Sequence, residues 1–148
     1  MSETMASVLK SKGSAIWSVV PDATVYDAIA AMATKGIGAL LVLSGGRLEG
    51  IISERDYARK VILEGRSSKD TLVREIMTSP VVTVTLDHTV DLCMKIMTER
   101  RIRHLPVLDR DAVVGIVSIG DMVRATIAAQ AETIDHLHTY ILGTTYPS

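Results

Sequence analysis

The chain has 148 residues, of which 47% are apolar, and this suits one compact domain or two very small ones. A net charge of -1, with one Trp, four Tyr and no Phe, argues against a binder of nucleic acids or anionic membranes, because such binding needs clustered positive charge or stacking aromatics. Cys93 is the only cysteine, no apolar run approaches the ~20 residues that span a bilayer, and the first residues form no secretory signal, so we expect a cytoplasmic protein without a disulfide.

The first half of the chain predicts a β-α-β-β-α unit. A short strand over residues 16–19 precedes a helix that Gly36 ends. The apolar stripe of this helix, at spacings of three and four residues, consists of Val25, Ala28, Ile29 and Met32. An apolar strand over residues 39–43, a glycine turn and a returning strand over residues 48–52 follow, and a second helix begins near Ser53.

The second half repeats the first at an offset of 65 residues. Residues 50–56 (GIISERD) reappear as residues 115–121 (GIVSIGD). The same offset, without a gap, aligns Asp22 with Asp87, Thr24 with Thr89, Val25 with Val90, Met32 with Met97, Val42 with Val107 and Arg59 with Arg124. A single chance motif cannot produce this register, so a second β-α-β-β-α unit is predicted, with its leading strand over residues 81–84.

The repeat divides the chain into four parts. These are a first unit over residues 7–64, a polar linker over 65–71, a second unit over 72–128, and a C-terminal helix and tail over 129–148. One unit of this size has too little interior to be stable alone. We therefore expect an α/β (α+β) fold in which the two units pack sheet to sheet with pseudo-twofold symmetry.

The tail predicts a continuous helix over residues 125–142, which Gly143 ends. Its apolar residues include Ile127, Ile134, Leu137 and Ile141. The three isoleucines are seven residues apart and so lie on one face of a helix. Packing of this face in the core is the favoured interpretation, and a dimerisation helix is the alternative.

Two copies of the pattern Gly-apolar-apolar-Ser-x-x-Asp, each after a short strand and a hairpin, carry a family resemblance. Residues 101–107 (RIRHLPV) precede the second copy. Together these segments resemble a pair of CBS (cystathionine β-synthase) motifs, also called a Bateman module, and the resemblance covers about residues 7–128. Because this resemblance covers nearly the whole sequence, we expect a protein similar to the stand-alone tandem CBS proteins, without an attached catalytic or transporter domain.

The resemblance implies a regulatory, signal-transducing module rather than an enzyme. Its ligand would be an adenosine nucleotide, with AMP first and ADP, ATP, NAD or S-adenosylmethionine as alternatives, and no metal is expected. The resemblance also implies a homodimer that regulates a further protein, which the sequence does not name.

Ser53 with Asp56, and Ser118 with Asp121, allow two interpretations. Ser-x-x-Asp at the start of a helix is typical of a capping box, in which the hydroxyl satisfies an orphan amide. Alternatively, the carboxylate accepts two hydrogen bonds from the vicinal hydroxyls of a ribose, because a carboxylate is an acceptor and a cis-diol offers two donors. The two roles are compatible, and the family resemblance favours the ribose.

A carboxylate repels phosphate, so a nucleotide site needs cations of its own. The candidates are Lys12 and Arg55 in the first unit and Arg101, Arg103 and His104 in the second. Arginine suits this role because its forked donors match phosphate oxygens. The resemblance implies that Arg103 and His104 line the cleft and reach the nucleotide of the other unit, and Arg55 can point at the pseudo-twofold centre.

Adenine needs an apolar slot and a few backbone groups that contact its edge. Candidates on the strands are Ile16, Ile51, Val81 and Ile116, and the resemblance adds Gly38, Ala39, Leu40, His104 and Leu105 on the opposite wall. Pro106 has no amide, so its strand should be an edge there or direct the missing donor towards the ligand. Gly38 and Ala39 are small where Arg103 and His104 are large, so we expect more space in the first unit, more cations in the second, and unequal affinities.

Other functions find less support in the sequence. The histidine spacings match no metal site, and Cys93 falls on an apolar helix stripe where it is expected to be core. An enzyme would need a base beside the phosphates, and His104 is the only candidate. The remaining alternative is a nucleotide-independent adaptor for proteins or nucleic acids, which would use Arg100, Arg101 and Arg103 together with the C-terminal helix.

Overall fold

A computed structural model describes residues 3–142, which form two three-stranded sheets and six α-helices. The first half comprises α1 (Met5–Lys12), β1 (Ser18–Val19), α2 (Val25–Lys35), β2 (Ala39–Ser44), β3 (Arg47–Ser53) and α3 (Glu54–Tyr57), which continues as a π-helical segment (Ala58–Ile62). The second half comprises α4 (Val73–Ile76), β4 (Val84–Thr85), α5 (Val90–Arg100), β5 (His104–Asp109), β6 (Ala112–Ser118) and α6 (Ile119–Leu142). The predicted mixed α/β fold with a repeated β-α-β-β-α order is confirmed.

The two sheets share one topology. β2 pairs parallel with β1 and antiparallel with β3, and β5 pairs in the same way with β4 and β6. Val19 pairs with Val42 in one sheet and Val84 with Val107 in the other, so the strand register follows the 65-residue offset of the sequence.

The leading strands β1 and β4 are shorter than the predicted four residues. In the first sheet, the amide of Leu41 donates to the carbonyl of Trp17 at 3.2 Å. Pro106 occupies the equivalent position in the second sheet and has no amide to donate, so β4 begins one residue later than the repeat predicts. β5 is the central strand of its sheet, but it is unpaired on the β4 side at Pro106, as the sequence led us to expect.

Each of the two cores combines the sheet of one unit with the short helix that precedes the other unit. The second core contains Met5, Val8 and Leu9 of α1, and the first contains Val73 and Ile76 of α4. Two glycines permit this close approach, because a Cβ on Gly50 would lie 2.6 Å from the sulfur of Met77 and one on Gly115 would lie 2.6 Å from Cδ2 of Leu9. The units are therefore interlocked, and neither core is complete without the other unit.

The C-terminal helix is present as the second part of α6, but it does not pack in the core. Met122 is fully buried and Ala125 packs against the second core. The four apolar residues that define the predicted face, Ile127, Ile134, Leu137 and Ile141, are 54–74% exposed. Core packing, the favoured interpretation, is therefore wrong. The helix α6 packs against α5, but α6 has 24 residues and α5 has only 11, so α6 extends beyond the end of its neighbour. Gly143 lies outside the described residues.

None of the helices in residues 3–142 could cross a membrane.

Candidate functional site

Two clefts lie between the units, and each joins the Ser-x-x-Asp helix start of one unit to wall segments of the other. The Asp56 cleft has a volume of about 680 Å³ and the Asp121 cleft about 360 Å³. The Asp56 cleft is bordered by Thr78, Val81 and Val82 before β4 and by Arg101–His104 before and at the start of β5. The Asp121 cleft is bordered by Lys12–Gly13, Ala15 and Trp17 before β1 and by Gly36–Ala39 before and at the start of β2. The 65-residue repeat relates these two sets of walls.

Both aspartates close capping boxes with their serines. The amide of Ser53 donates to Oδ2 of Asp56 at 3.0 Å, and the amide of Asp56 donates to Oγ of Ser53 at 3.1 Å. The corresponding distances at Ser118 and Asp121 are 2.7 and 3.2 Å. The cap interpretation is confirmed at both helix starts, and because each carboxylate also borders a cleft, capping does not exclude contact with a ligand.

Asp121 is already bound by two cations. Nζ of Lys12 lies 2.7 Å from Oδ2, and Nη2 of Arg124 lies 2.5 Å from Oδ1, while the carboxylate side chain is only 4% exposed. Burial acts to raise the pKa of Asp121, but hydrogen bonds from Lys12, Ser118 and Arg124 outweigh it, and the pKa lies below its ordinary value. Lys12 also donates to the carbonyl of Ile116 at 2.7 Å. The carboxylate of this cleft is thus held in an internal ion-pair network.

Asp56 is held less tightly. Its Oδ1 lies 3.2 Å from Nζ of Lys60, whose side chain is 45% exposed. Lys60 also donates to the carbonyl of Ile76 at 2.8 Å, so its ammonium is shared between two acceptors. Met77, an uncharged residue, stands at the repeat position of Lys12. The Asp56 cleft therefore lacks the lysine that neutralises Asp121 from the opposite unit.

Space and cations are distributed differently from the sequence prediction. The basic residues around the Asp56 cleft come from both units and are Arg55, Arg59, Lys60, Arg101 and Arg103. The small residues Gly38 and Ala39 border the smaller Asp121 cleft, whose basic residues are Lys12 and Arg124 besides His104. The expectation of space in the first unit and cations in the second is wrong, because each cleft takes its walls from both units. The cleft of the first-unit aspartate is both larger and richer in cations.

Arg55 and Arg101 connect the units across the Asp56 cleft. Nη1 of Arg55 donates to the carbonyl of Arg101 at 3.0 Å, at the C-terminus of α5. Arg101 has a left-handed φ of 56°, whereas its repeat counterpart is Gly36 with φ 66°. A non-glycine residue in this conformation costs about 1 kcal/mol. The second unit thus places an arginine at the cleft at a conformational cost that the first unit avoids.

His104 borders both clefts. Burial is the largest cause that lowers the pKa of its imidazole below the ordinary 6.5, and the charges of Lys12 and Arg103 add to it, against the opposing charge of Asp121. The ring is therefore mainly uncharged near pH 7 in this structure. An uncharged imidazole would therefore bind an anionic ligand by donating an N–H hydrogen bond and not by a positive charge.

Comparison with known proteins follows the same division of the chain. A family model of the CBS domain matches residues 14–63 and 73–128. The chain belongs to the CBS domain family. The predicted resemblance is thereby confirmed, with one CBS domain for each repeat.

Relatives of this CBS pair share both sequence and fold. This chain is 45% identical over 152 residues to the CBS domain-containing protein CBSX3, mitochondrial, of Arabidopsis thaliana. The alignment covers 96% of this chain and 73% of that protein. A solved structure of a protein with CBS domains from Burkholderia ambifaria MC40-6 is 53% identical, with a TM-score of 0.83 over 86% of this chain and 96% of that one. The CBS domain pair of MJ0100, solved with 5′-methylthioadenosine and S-adenosyl-L-methionine, is 25% identical, with a TM-score of 0.77 over 87% and 99%.

Most of the predicted site residues of the CBS pair border a cleft. Those in the Asp56 cleft are Gly38, Ile51, Ser53, Arg55, Asp56, Val81, Arg103 and His104, and those in the Asp121 cleft include Lys12, Ala39, Ile116, Ser118 and Asp121. Ile16, Leu40, Leu105 and Pro106 are not among the cleft-lining residues. Leu40 and Leu105 belong to the two cores instead, because neighbouring strand residues point to opposite faces and Ala39 and His104 take the cleft side.

Several cleft residues of the CBS pair were missed by the sequence analysis. Arg59 and Arg124 lie three residues after the aspartates, one helical turn away, and their alignment in the repeat could have identified them. Trp17 borders the Asp121 cleft and is 43% exposed, with Nζ of Lys35 lying 4.0 Å from its ring centroid. Within residues 3–142, no group of three His, Cys, Asp or Glu side chains could hold a metal ion.

Proposed function

We propose that this CBS pair is a non-catalytic regulatory module that binds an adenosine nucleotide, AMP first, in the Asp56 cleft. The observation that carries the proposal is the position of Asp56, which stands at a helix start in a cleft with five basic side chains. The volume of about 680 Å³ falls within the range of small-molecule sites. The cleft therefore has the size and both kinds of charge that a nucleotide requires.

The ribose would contact Asp56. Oδ2 accepts the Ser53 cap, and Oδ1 faces Lys60, which is half in solvent and is shared with a carbonyl. Moving Lys60 to a phosphate would leave Oδ1 to accept a ribose hydroxyl, and the second hydroxyl can share Oδ2 because each carboxylate oxygen accepts more than one hydrogen bond. Asp121 offers no comparable acceptor, since Lys12 and Arg124 already occupy it.

The phosphate would lie among the arginines of the Asp56 cleft. Arg55, Arg59, Arg101 and Arg103 all border it and carry forked donors. AMP, ADP, ATP and NAD all place negative charge beside these side chains. S-adenosylmethionine carries a positive sulfonium there instead, so we rank it last for this cleft, although MJ0100 was solved with that ligand.

The adenine would occupy the apolar part of the same cleft, which contains Ile51, Val81, Val82 and Ile102. In the first unit the carbonyl of Trp17 accepts the amide of Leu41, but Pro106 offers no amide to the equivalent carbonyl of Val82. This carbonyl can therefore accept a hydrogen bond from the exocyclic amino group of adenine. A guanine presents an acceptor at that position, which supports preference for the adenosine class.

Regulation would follow from the interlocked cores. The Asp56 cleft has walls in both units, so a bound nucleotide would favour one packing of the units over others, and a homodimer or a regulated protein would respond to that packing. The Burkholderia structure belongs to a protein for which signal transduction is suggested, which supports a regulatory role. The proposal includes a cytoplasmic location. The Arabidopsis relative is named as mitochondrial, so cell fractionation is needed to test this location.

Calorimetric titration with AMP, ADP, ATP, NAD and S-adenosylmethionine tests the proposal, with GMP as the matched control. AMP at about a hundredfold its dissociation constant should raise the free energy of unfolding by about 2.7 kcal/mol, and GMP at the same concentration should have much less effect. Absence of binding by every adenosine compound at millimolar concentration would refute the proposal.

A further inference from the structure

The last turns of α6 carry an exposed apolar seam with the spacing of a coiled coil. Ile127, Ile134 and Ile141 are seven residues apart, and Gln130 and Leu137 follow the first two of them by three residues. In heptad terms the isoleucines are at position a, and Gln130 and Leu137 are at position d. The four apolar residues of this seam are 54–74% exposed, and Val123, at the preceding d position, is 45% exposed.

The seam lies on a different side of α6 from the contact with the core. Met122 and Ala125 hold the first turns of α6 against the second core. At 100° per residue, their centre lies about 130°, roughly a third of a turn, from the line through the seam. The folded domain therefore anchors the start of α6 and presents the seam outwards, so that the helix does not need to be nucleated when a partner binds.

The composition of the seam suits a second copy of this chain. Isoleucine at a with leucine at d favours a two-stranded parallel pairing. The flanking e and g positions along the seam are Arg124, Thr126, Ala131, Thr133, His138 and Tyr140. Arg124 is paired with Asp121, and the acidic residues Glu132 and Asp135 are at outer positions. Two identical helices can therefore meet without placing carboxylates or ammonium groups of like sign against each other.

We propose that α6 forms a parallel two-stranded coiled coil with α6 of a second copy, along the seam from Val123 to Ile141. A parallel pairing places Gln130 opposite Gln130 of the second copy, where the two side-chain amides can hydrogen-bond to each other. In an antiparallel pairing this polar residue would face a different position of the partner seam. Gln130 thus fixes both register and direction, as a single polar core residue does in other coiled coils. The proposal does not depend on nucleotide binding.

The substitution Ile134→Asp tests the seam, and Thr139→Asp, which places the same charge at an outer f position, is its matched control. We expect the wild type and Thr139→Asp to be dimers in sedimentation equilibrium at high micromolar concentration. Ile134→Asp should weaken the dimer by roughly a hundredfold or more, because it buries an unpaired carboxylate in the seam. A monomeric wild type, or a dimer of unchanged affinity in Ile134→Asp, overturns the proposal.

Disulfide cross-linking tests the direction of the pairing. Leu137→Cys, at another d position, should give a cross-linked dimer under mild oxidation, because a parallel register brings the two introduced thiols face to face, whereas Glu132→Cys at an outer position should not. The native Cys93 is buried and serves as the background in both variants. Cross-linking of Glu132→Cys to the same extent, or a dimer in which Leu137→Cys does not cross-link, contradicts the parallel coiled coil.

Discussion

The Asp56 and Asp121 clefts share one scaffold and differ in how their carboxylates are occupied. Both aspartates close a capping box at the end of a strand, with nearly the same hydrogen-bond distances. Lys12 neutralises Asp121 from the opposite unit, and the uncharged Met77 occupies the repeat position of Lys12 in the sequence. The comparison teaches that the Ser-x-x-Asp cap maintains the fold in both copies, while a few residues on the facing wall decide whether the carboxylate is available to a ligand.

The wall residues opposite the two aspartates also differ in size and charge. Gly36, Gly38 and Ala39 correspond by the repeat to Arg101, Arg103 and His104. Gly38 and His104 border both clefts, whereas Gly36 and Ala39 border only the smaller Asp121 cleft, and Arg101 and Arg103 border only the larger Asp56 cleft. Exchange of these residues between the two repeats thus accounts for one cleft whose carboxylate is neutralised internally and one with more cations.

The largest effect is expected from exchanging each aspartate in turn for asparagine. Asp56→Asn should weaken AMP binding by about 10- to 100-fold, because a hydrogen bond to a charged group contributes about 1.5–3 kcal/mol, while the amide oxygen of asparagine can still accept from the amide of Ser53. Asp121→Asn should leave AMP affinity within a factor of about two and lower the stability instead. Isothermal titration and urea unfolding of both variants measure this separation. Equal losses of affinity in both variants would contradict unequal roles of the clefts.

Lys12→Met replaces the lysine that binds Asp121 with methionine, the residue that the second unit has at the matching position, Met77. We expect the free energy of unfolding to fall by about 1–2 kcal/mol, because Asp121 loses a partner. The loss is smaller than for a fully buried pair because Lys12 is 36% exposed and Arg124 still contacts the carboxylate. Lys10→Met, on an exposed position of the same helix, is the control and should change stability by less than about 0.5 kcal/mol in urea titrations. Equal stability of the two variants would show that the ion pair does not distinguish the clefts.

Arg101→Gly gives the second unit the residue that the first unit has at the matching position, Gly36. Its left-handed φ of 56° is relieved by glycine, as in Gly36, so stability should rise by about 0.5–1 kcal/mol. The same change removes a cation from the Asp56 cleft and should weaken AMP binding. Thermal unfolding and AMP titration on the same sample measure both effects. A variant that is less stable than the wild type would mean that the side chain contributes more to the fold than its backbone conformation costs.

The smallest expected effect is the pH dependence contributed by His104. Its folded pKa lies below 6.5, so as pH falls through 6.5 the unfolded chain takes up a proton that the folded chain does not yet bind, and stability decreases. His104→Gln should therefore show a shallower loss of stability between pH 7.5 and about pH 5.5 in urea unfolding. His136→Gln, at an exposed position of α6, is the control. An unchanged slope in His104→Gln would contradict the assigned cause.

Local features of the fold could be predicted from the sequence. Apolar spacing placed both main helices, and the repeat placed both sheets in equivalent register. Cys93 is buried as predicted, and burial raises the pKa of its thiol to about 11. Each of these features depends on residues close together in sequence or related by one offset, which is the information that periodicity carries.

The contacts that distinguish the clefts could not be predicted. Lys12 and Asp121 are 109 residues apart, and their contact depends on the packing of α1 against the second core. Arg55 and Arg101 are 46 residues apart, and their contact depends on how the two units pack against each other. The exposure of α6 depends likewise on where its neighbour α5 ends. Such long-range packing leaves no periodic pattern in the sequence.

A structure of the protein with AMP tests the difference between the clefts most directly. We expect AMP in the Asp56 cleft, with its ribose hydroxyls on the carboxylate of Asp56 and its phosphate among the arginines, while Lys12 remains bound to Asp121. AMP bound only in the Asp121 cleft, with Lys12 displaced from the carboxylate, would contradict it.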